Sequence, residues 1–396
     1  MTTWSDLPPE ILTVIAGNLD FHEDYVTFLS VCTSWKSSAT TTKNTTIGRH
    51  LPSRFPMLML AEQSNTKQNE TEKRRRFFLL SNGGSIRTLP LLAAHRQRCV
   101  SSHGWLLSTG EREFYTKLVN PISNIEIDLP ELYMFEELYF DQDEWMYYGF
   151  CMRKCLLTSP NPSLPEFRVI IVWGTTIGFC RPGDVAWGRV DGWEGNIFDI
   201  AYHQMRKRLY VVATMGTIYE CDVANDVLSP LTLSRVTTFP GKEFGCLSVP
   251  WGYLVEWGCD RLLMIVRERE SFTKNDDGYG RYGSYRTSGF RCFVFGLDDG
   301  KWSETVSLGE NAVFLGFNSS FVICGGECVK PNCIYFTDDL YEPYRGLPEG
   351  GGGDVGIYDM FDGRIETIFG SEELGFRGAP PLWLQTCSVQ EFKGVK

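Results

Sequence analysis

Arg208-Leu209-Tyr210-Val211-Val212-Ala213 and, after a short interval, Ile218-Tyr219-Glu220-Cys221-Asp222 set the pattern on which most of this chain is built. Both runs are short and rich in β-branched and aromatic residues, which reads as strand rather than helix. Runs of the same kind recur at Trp105–Leu107, Glu113–Val119, Arg168–Val172, Tyr253–Glu256, Arg261–Val266, Arg291–Phe295, Phe321–Cys324, Cys333–Phe336 and Val355–Asp359. Gly, Pro, Asn and Asp separate them, as in Asn120-Pro121. Asp299-Gly300 before Lys301-Trp302, and Asp362-Gly363 before Arg364-Ile365, are strong hairpin signals. Beyond residue 77 almost no segment has a helical period; Glu131–Tyr139 is the best exception.

The strands repeat loosely. Gly104-Trp105-Leu106-Leu107, Lys154-Cys155-Leu156-Leu157, Arg208-Leu209-Tyr210-Val211, Gly252-Tyr253-Leu254-Val255 and Ser320-Phe321-Val322-Ile323 each open a comparable hairpin. Their spacing, roughly 45 to 70 residues, suits one four-stranded propeller blade plus variable loops. A strand–turn–Trp element recurs as well, from Phe179 to Trp187 and from Phe295 to Trp302. Five repeats, plus a blade joining Phe77–Leu92 to Leu382-Trp383-Leu384, predict a mainly β protein with one closed propeller of about six blades, or seven. A pair of β-sandwiches is the alternative.

The N-terminus reads differently. In Trp4-Ser5-Asp6-Leu7-Pro8-Pro9-Glu10-Ile11-Leu12, Asp6 is a good N-cap and the prolines fall where a first helical turn needs no N–H donor. Ile11, Leu12, Ile15 and Leu19 make an apolar stripe, and Asp24 can cap a second helix carrying Phe28, Val31, Cys32 and Trp35. A unit of about forty residues is too small to bury such stripes alone, so a second surface is implied. The Asp-Leu-Pro-Pro-Glu-Ile-Leu start and the Val31-Cys32-Thr33-Ser34-Trp35-Lys36 ending resemble a three-helix F-box over residues 2–42. The resemblance implies docking on the Skp adaptor, and through it on a cullin, by Leu7, Pro8, Ile11, Leu19, Val31 and Trp35.

The β region carries a second resemblance. Gly104–Leu107 with Leu118-Val119-Asn120-Pro121, Lys154–Pro160, Phe179–Trp187, Ser307–Gly316 and Asn332–Asp339 are similar, in order, to a Kelch-like propeller domain (KIB-type) that commonly follows an F-box in plant proteins. Together the two resemblances imply the substrate-recognition subunit of an SCF-type E3 ubiquitin ligase, a non-catalytic adaptor in protein ubiquitination. They name no target. Two stretches depart from the family pattern, Met134–Tyr148 with Trp145, Tyr147 and Tyr148, and Ser271–Ser288 with Tyr279, Tyr282 and Tyr285. Aromatic anchors on scaffold loops make these the candidate target-binding residues.

Composition bounds the rest. The 396 residues are 43% hydrophobic with a net charge of −11, which supplies a core and argues against nucleic acid as main partner. No membrane span or secretory leader is read, and thirteen irregularly spaced cysteines suit reduced thiols, so a soluble cytoplasmic or nuclear protein is expected. Residues 43–76, with polar Glu62–Arg76 and Lys73-Arg74-Arg75-Arg76, read as a linker ending in solvated charge. The domain from 77 to 396 is then the propeller.

A search for chemistry finds little. The five histidines form no zinc or metalloprotease spacing. Cys324, Cys328 and Cys333 read as packed core thiols, and Asp298-Asp299 and Asp338-Asp339 as turn carboxylates serving backbone donors. No cofactor, metal or catalytic residue is assigned. The rival functional class is a propeller that senses a small molecule in its channel without ligase assembly.

Overall fold

The computed structural model describes residues 4, 7–17, 28, 31–41, 56–61, 74–80, 84–91, 98–109, 115–122, 125–132, 152–193, 195–223, 231–244, 252–272, 284–326, 328–339, 353–368 and 380–385. Near the N-terminus lie helices α1 (Pro9–Gly17) and α2 (Thr33–Thr41). The Pro8 carbonyl accepts hydrogen bonds from the Ile11 and Leu12 amides, so the helix begins where the paired prolines lack donors to lose. Leu12, Ala16 and Phe28 form the core of this unit.

The rest is a propeller of six sheets. The first blade takes β1 (Met57–Met59), β2 (Arg74–Leu79) and β3 (Ser85–Pro90); the second takes β4 (Arg98–Ser102), β5 (Trp105–Thr109), β6 (Thr116–Asn120) and β7 (Ile125–Leu129). The third is β8 (Met152–Leu157), β9 (Val169–Trp173), β10 (Thr176–Cys180) and β11 (Gly188–Asp191). In the fourth come β12 (Ile197–His203), β13 (Arg208–Ala213) and β14 (Thr217–Cys221). There β15 (Leu231–Thr232) crosses back to run parallel to β11, and β16 (Ser234–Thr238) completes the sheet. The fifth holds β17 (Gly252–Glu256), β18 (Arg261–Phe272), β19 (Ser284–Gly296) and β20 (Trp302–Thr305). The sixth holds β21 (Asn311–Leu315), β22 (Phe321–Cys324), β23 (Cys333–Phe336), β24 (Gly356–Asp359) and β25 (Ile365–Thr367), with β21 and β23 parallel. Finally β26 (Leu382–Leu384) pairs antiparallel with β1, Leu58 opposite Trp383, and closes the ring.

Successive edge strands β26, β4, β8, β12, β17 and β22 pack side by side around the axis. Apolar cores fill the spaces between neighbouring blades, so strands such as Val169-Ile170-Ile171-Val172 are buried on both faces. That double burial is why these strands read as continuous apolar runs instead of alternating ones. The recurring Trp binds each blade to the one before: Trp187 Nε1 donates to the Pro130 carbonyl at 2.7 Å, and the Trp302 ring meets Phe239 at 5.2 Å.

Several expectations are corrected. Residues 43–76 are not a plain linker: Pro56–Ala61 is buried, Met57–Met59 pairs on both sides, and Arg74–Arg76 belongs to β2. Arg75 is buried, its Nη2 donating to the Leu60 carbonyl at 3.2 Å, because a strand between two others has no solvent to offer a cation. The loose repeat is also out of phase with the blades. Gly104–Leu107 and Arg208–Val211 fall on second strands, whereas Lys154–Leu157, Gly252–Val255 and Ser320–Ile323 fall on axial ones. Among the three clustered cysteines only Cys333 is a core thiol; Cys324 is exposed and Cys328 half-buried. Most of Glu131–Tyr139 lies outside the described residues.

Candidate functional site

The helical unit divides its apolar residues into two sets. Leu7 and Trp35 lean against the Leu12, Ala16 and Phe28 core, with the Trp35 ring 4.5 Å from that of Phe28. Trp35 Nε1 also donates to the Trp4 carbonyl at 3.1 Å and so ties the chain's start to α2. Ile11 and Val31 stay 48% and 52% exposed, and Pro8 is exposed beside them in sequence. Leu19 lies outside the described residues. Two residues that motif reasoning passed over, Trp4 and Val14, are 76% and 59% exposed. Val14 sits three residues after Ile11 on α1 and so shares its face, a helical spacing the sequence already contained.

At the propeller axis, polar groups from all six blades are joined. Lys154 on β8 is salt-bridged to Asp199 on β12 at 3.2 Å, both buried, and donates to the Gly316 and Asn318 carbonyls after β21. Asp199 accepts from the Leu254 amide of β17 at 2.9 Å. Burial pushes the Asp199 carboxyl above its ordinary range, with Lys154 and the Leu254 amide pulling it back. Ser102 Oγ of β4 accepts from the Leu157 amide and shares a hydrogen bond with Ser319 Oγ, while Ser101 Oγ donates to the Trp383 carbonyl of β26. A buried lysine and aspartate are tolerated because each finds charge and hydrogen bonds at once.

A second buried network joins the fifth and sixth blades. The Arg267 guanidinium donates to Asp339 at 3.2 Å, to Asp354 at 2.8 Å and to the Thr337 carbonyl at 2.9 Å. Arg269 and Tyr253 also reach Asp339, each at 2.6 Å. Burial alone would raise the Asp339 carboxyl, but Arg269 and Arg267 hold it below the usual range. The expected turn role of Asp338-Asp339 is thus replaced by charge pairing. Of the candidate target-binding residues, Tyr285 is described: it lies on β19 and its hydroxyl donates to Asp338. Trp145, Tyr147, Tyr148, Tyr279 and Tyr282 fall outside the described residues.

His203, fully buried, meets Glu256 with Nδ1 3.2 Å from Oε1. Burial, with Arg206 adding, lowers His203 to about 4; burial also pushes Glu256 up to about 7, against donors from the Gln204 and Met205 amides. The two act in opposite senses. The lowered histidine loses stability as pH falls from its unfolded value of 6.5 toward 4. The raised carboxyl loses stability as pH rises from 4.5 toward 7. In the intact pair these slopes offset each other between those values. Glu256→Gln should therefore expose the histidine's slope, up to about 1.4 kcal/mol per pH unit, and lose stability on acidification. His203→Asn should do the reverse. Thermal melts at stepped pH check this, and a Glu256→Gln profile overlaying the unmodified protein would refute it.

A small helical unit with exposed apolar residues thus precedes a six-bladed ring in the chain. The F-box domain family matches residues 4–46, and the KIB1-4 beta-propeller family matches residues 77–359. The chain belongs to the KIB1-4 beta-propeller family and carries an F-box at its N-terminus. Among similar proteins of Arabidopsis thaliana, F-box protein At4g35733 is 26% identical over 399 residues, covering 93% of this chain and 97% of that one. F-box protein At2g26160 is 24% identical over 347 residues, covering 85% and 96%. F-box/kelch-repeat protein At1g64840 is 26% identical over 361 residues, covering 86% and 85%.

Proposed function

We propose that this protein is the substrate-recognition subunit of an SCF-type E3 ubiquitin ligase, acting in the cytoplasm, the nucleus or both. The helical unit docks on the Skp adaptor and through it on a cullin, the propeller holds a target protein, and partners carry out ubiquitin transfer. The observation that carries this reading is the division of the helical unit: Leu12, Ala16 and Phe28 face inward, while Trp4, Ile11, Val14 and Val31 remain exposed on so small a unit. Four large apolar side chains left exposed on a unit of this size support a surface that a partner covers.

Burying side chains of this size stabilises a complex by about 1.5–3 kcal/mol each. Ile11→Asp with Val31→Asp should then weaken binding to the purified Skp adaptor by about a hundredfold, since two such losses exceed about 2.7 kcal/mol. The melting temperature of the isolated protein should not move, because both side chains are half exposed. Trp35→Ala should instead lower stability and binding together. Unchanged adaptor affinity in the double variant would overturn the reading.

A further inference from the structure

Asn332 gathers three loops of the sixth blade at one point. Its amide donates to the Asn311 carbonyl at 2.8 Å, and its own carbonyl accepts from the Met360 amide at 3.0 Å. Its side-chain Oδ1 accepts from Ser307 Oγ at 3.0 Å and from the Leu308 amide at 2.8 Å. A φ of +56° lets one residue serve all three directions, and asparagine is among the few side chains that tolerate it. Next in sequence to these partners stand Val306, Pro331 and Phe361, all exposed, Val306 by 79% and Phe361 by 90%.

The turn that carries Phe361 is also fixed at the backbone. The Phe361 amide donates to Asp359 Oδ1 at 2.7 Å, the Gly363 amide donates to the Asp359 carbonyl, and the Asp359 amide to that of Arg364. Single exposed apolar residues are ordinary on a protein surface. Three on separate loops that meet at one residue form a small apolar knob on a preorganised backbone, which loses little main-chain entropy on contact. The charge around it is uneven. Lys330 is already bridged to Glu366 at 2.5 Å, Arg291 to Glu304 at 2.7 Å and Arg364 to Asp362 at 3.4 Å. Glu310 and Asp359 then add a surplus of carboxylate.

We infer that this Asn332-clamped end of the sixth blade is a docking surface for a protein partner that offers an apolar hollow rimmed by lysine and arginine. This deepens the proposed function by naming where and by what chemistry the target is held, and it rests on that reading only in calling the partner a target. Electrostatic complementarity of this kind speeds encounter and fixes orientation, while the apolar knob supplies most of the affinity.

The test uses the full chain bound to the Skp adaptor, with a benzophenone amino acid at position 361 as a photo-crosslinking probe in plant-cell extract. The expected adduct maps to a partner peptide with lysine or arginine flanking apolar residues. Phe361→Ser with Val306→Ser should reduce binding of that partner by about tenfold, and Glu310→Lys should reduce it further as salt is lowered. Melting temperature and adaptor binding should stay constant in both variants. An adduct with a second copy of this chain, an adduct on an acidic surface, no adduct, or binding unchanged in the serine variant would each overturn the inference. Adaptor co-purification is read in the same samples. Its loss alongside a surviving adduct would defeat the ligase reading and leave this surface standing, and the reverse pattern would do the opposite.

Discussion

Deleting residues 380–396 is expected to open the propeller and lower its melting temperature by roughly 10 °C or more, because the last described strand is a closing element. Leu382, Trp383 and Leu384 are fully buried, and β26 supplies the axial strand that β1 would otherwise lack. Trp383 reaches into the neighbouring blade, edge-on to Phe314 at 5.1 Å and Tyr335 at 5.8 Å, while its carbonyl accepts from Ser101 of the second blade. Three residues thus hold three blades together. Burial of such side chains is worth about 1.5–3 kcal/mol each, a large part of a domain's net stability. Trp383→Ala alone should cost about 3–5 kcal/mol. Truncation after residue 385 separates loss of the strand from loss of the residues that follow it. A 380–396 deletion that melts like the full chain would show that the ring does not depend on this closure.

How much of this was legible in the sequence follows from the range over which each interaction acts. The hairpins at Asp299-Gly300 and Asp362-Gly363 were readable because their signal is local: both glycines take positive φ, +66° and +71°, which the turns demand. The strand–turn–Trp element was readable for the same reason, although its purpose, packing one blade on the last, shows only in three dimensions. Strand β1 was hidden, since Met57-Leu58-Met59 is three residues long and its partners lie at Phe77–Leu79 and Leu382–Leu384. The axial network was hidden more deeply. Ser101, Lys154, Asp199 and Asn318 come from separate blades, and each alone reads as an ordinary surface residue. In the helical unit the motif named the residues but not their allotment, because Leu7 and Ile11 look alike in sequence while one leans inward and the other stays half exposed.

Arg267→Met is expected to cost about 3–5 kcal/mol, the price of leaving buried carboxylates without their cation. The guanidinium is fully buried between two aspartates and lies 4.8 Å from the centre of the Phe336 ring. Asp339 keeps Arg269 at 2.6 Å, but among the described residues Asp354 retains only Thr287, through its amide and hydroxyl. Asp339, which Arg267 helps to hold below the usual range, should titrate higher in the variant. A carboxyl whose folded pKa is raised loses stability as pH rises, so the variant's deficit should be largest at neutral pH and shrink on acidification. Adding Asp354→Asn removes the stranded charge while keeping an acceptor for Thr287, and should restore part of the loss. Urea denaturation at pH 7 and at about pH 4.5 distinguishes these outcomes, the lower value chosen near the unfolded carboxylate range. A deficit below about 1 kcal/mol, or one indifferent to pH, would mean that the network is solvated and does not bind the fifth blade to the sixth. If the deficit behaves as expected, the same network also sets the base of the β18–β19 hairpin. Tyr285 and Arg269 tie its two strands to Asp338 and Asp339 of the sixth blade.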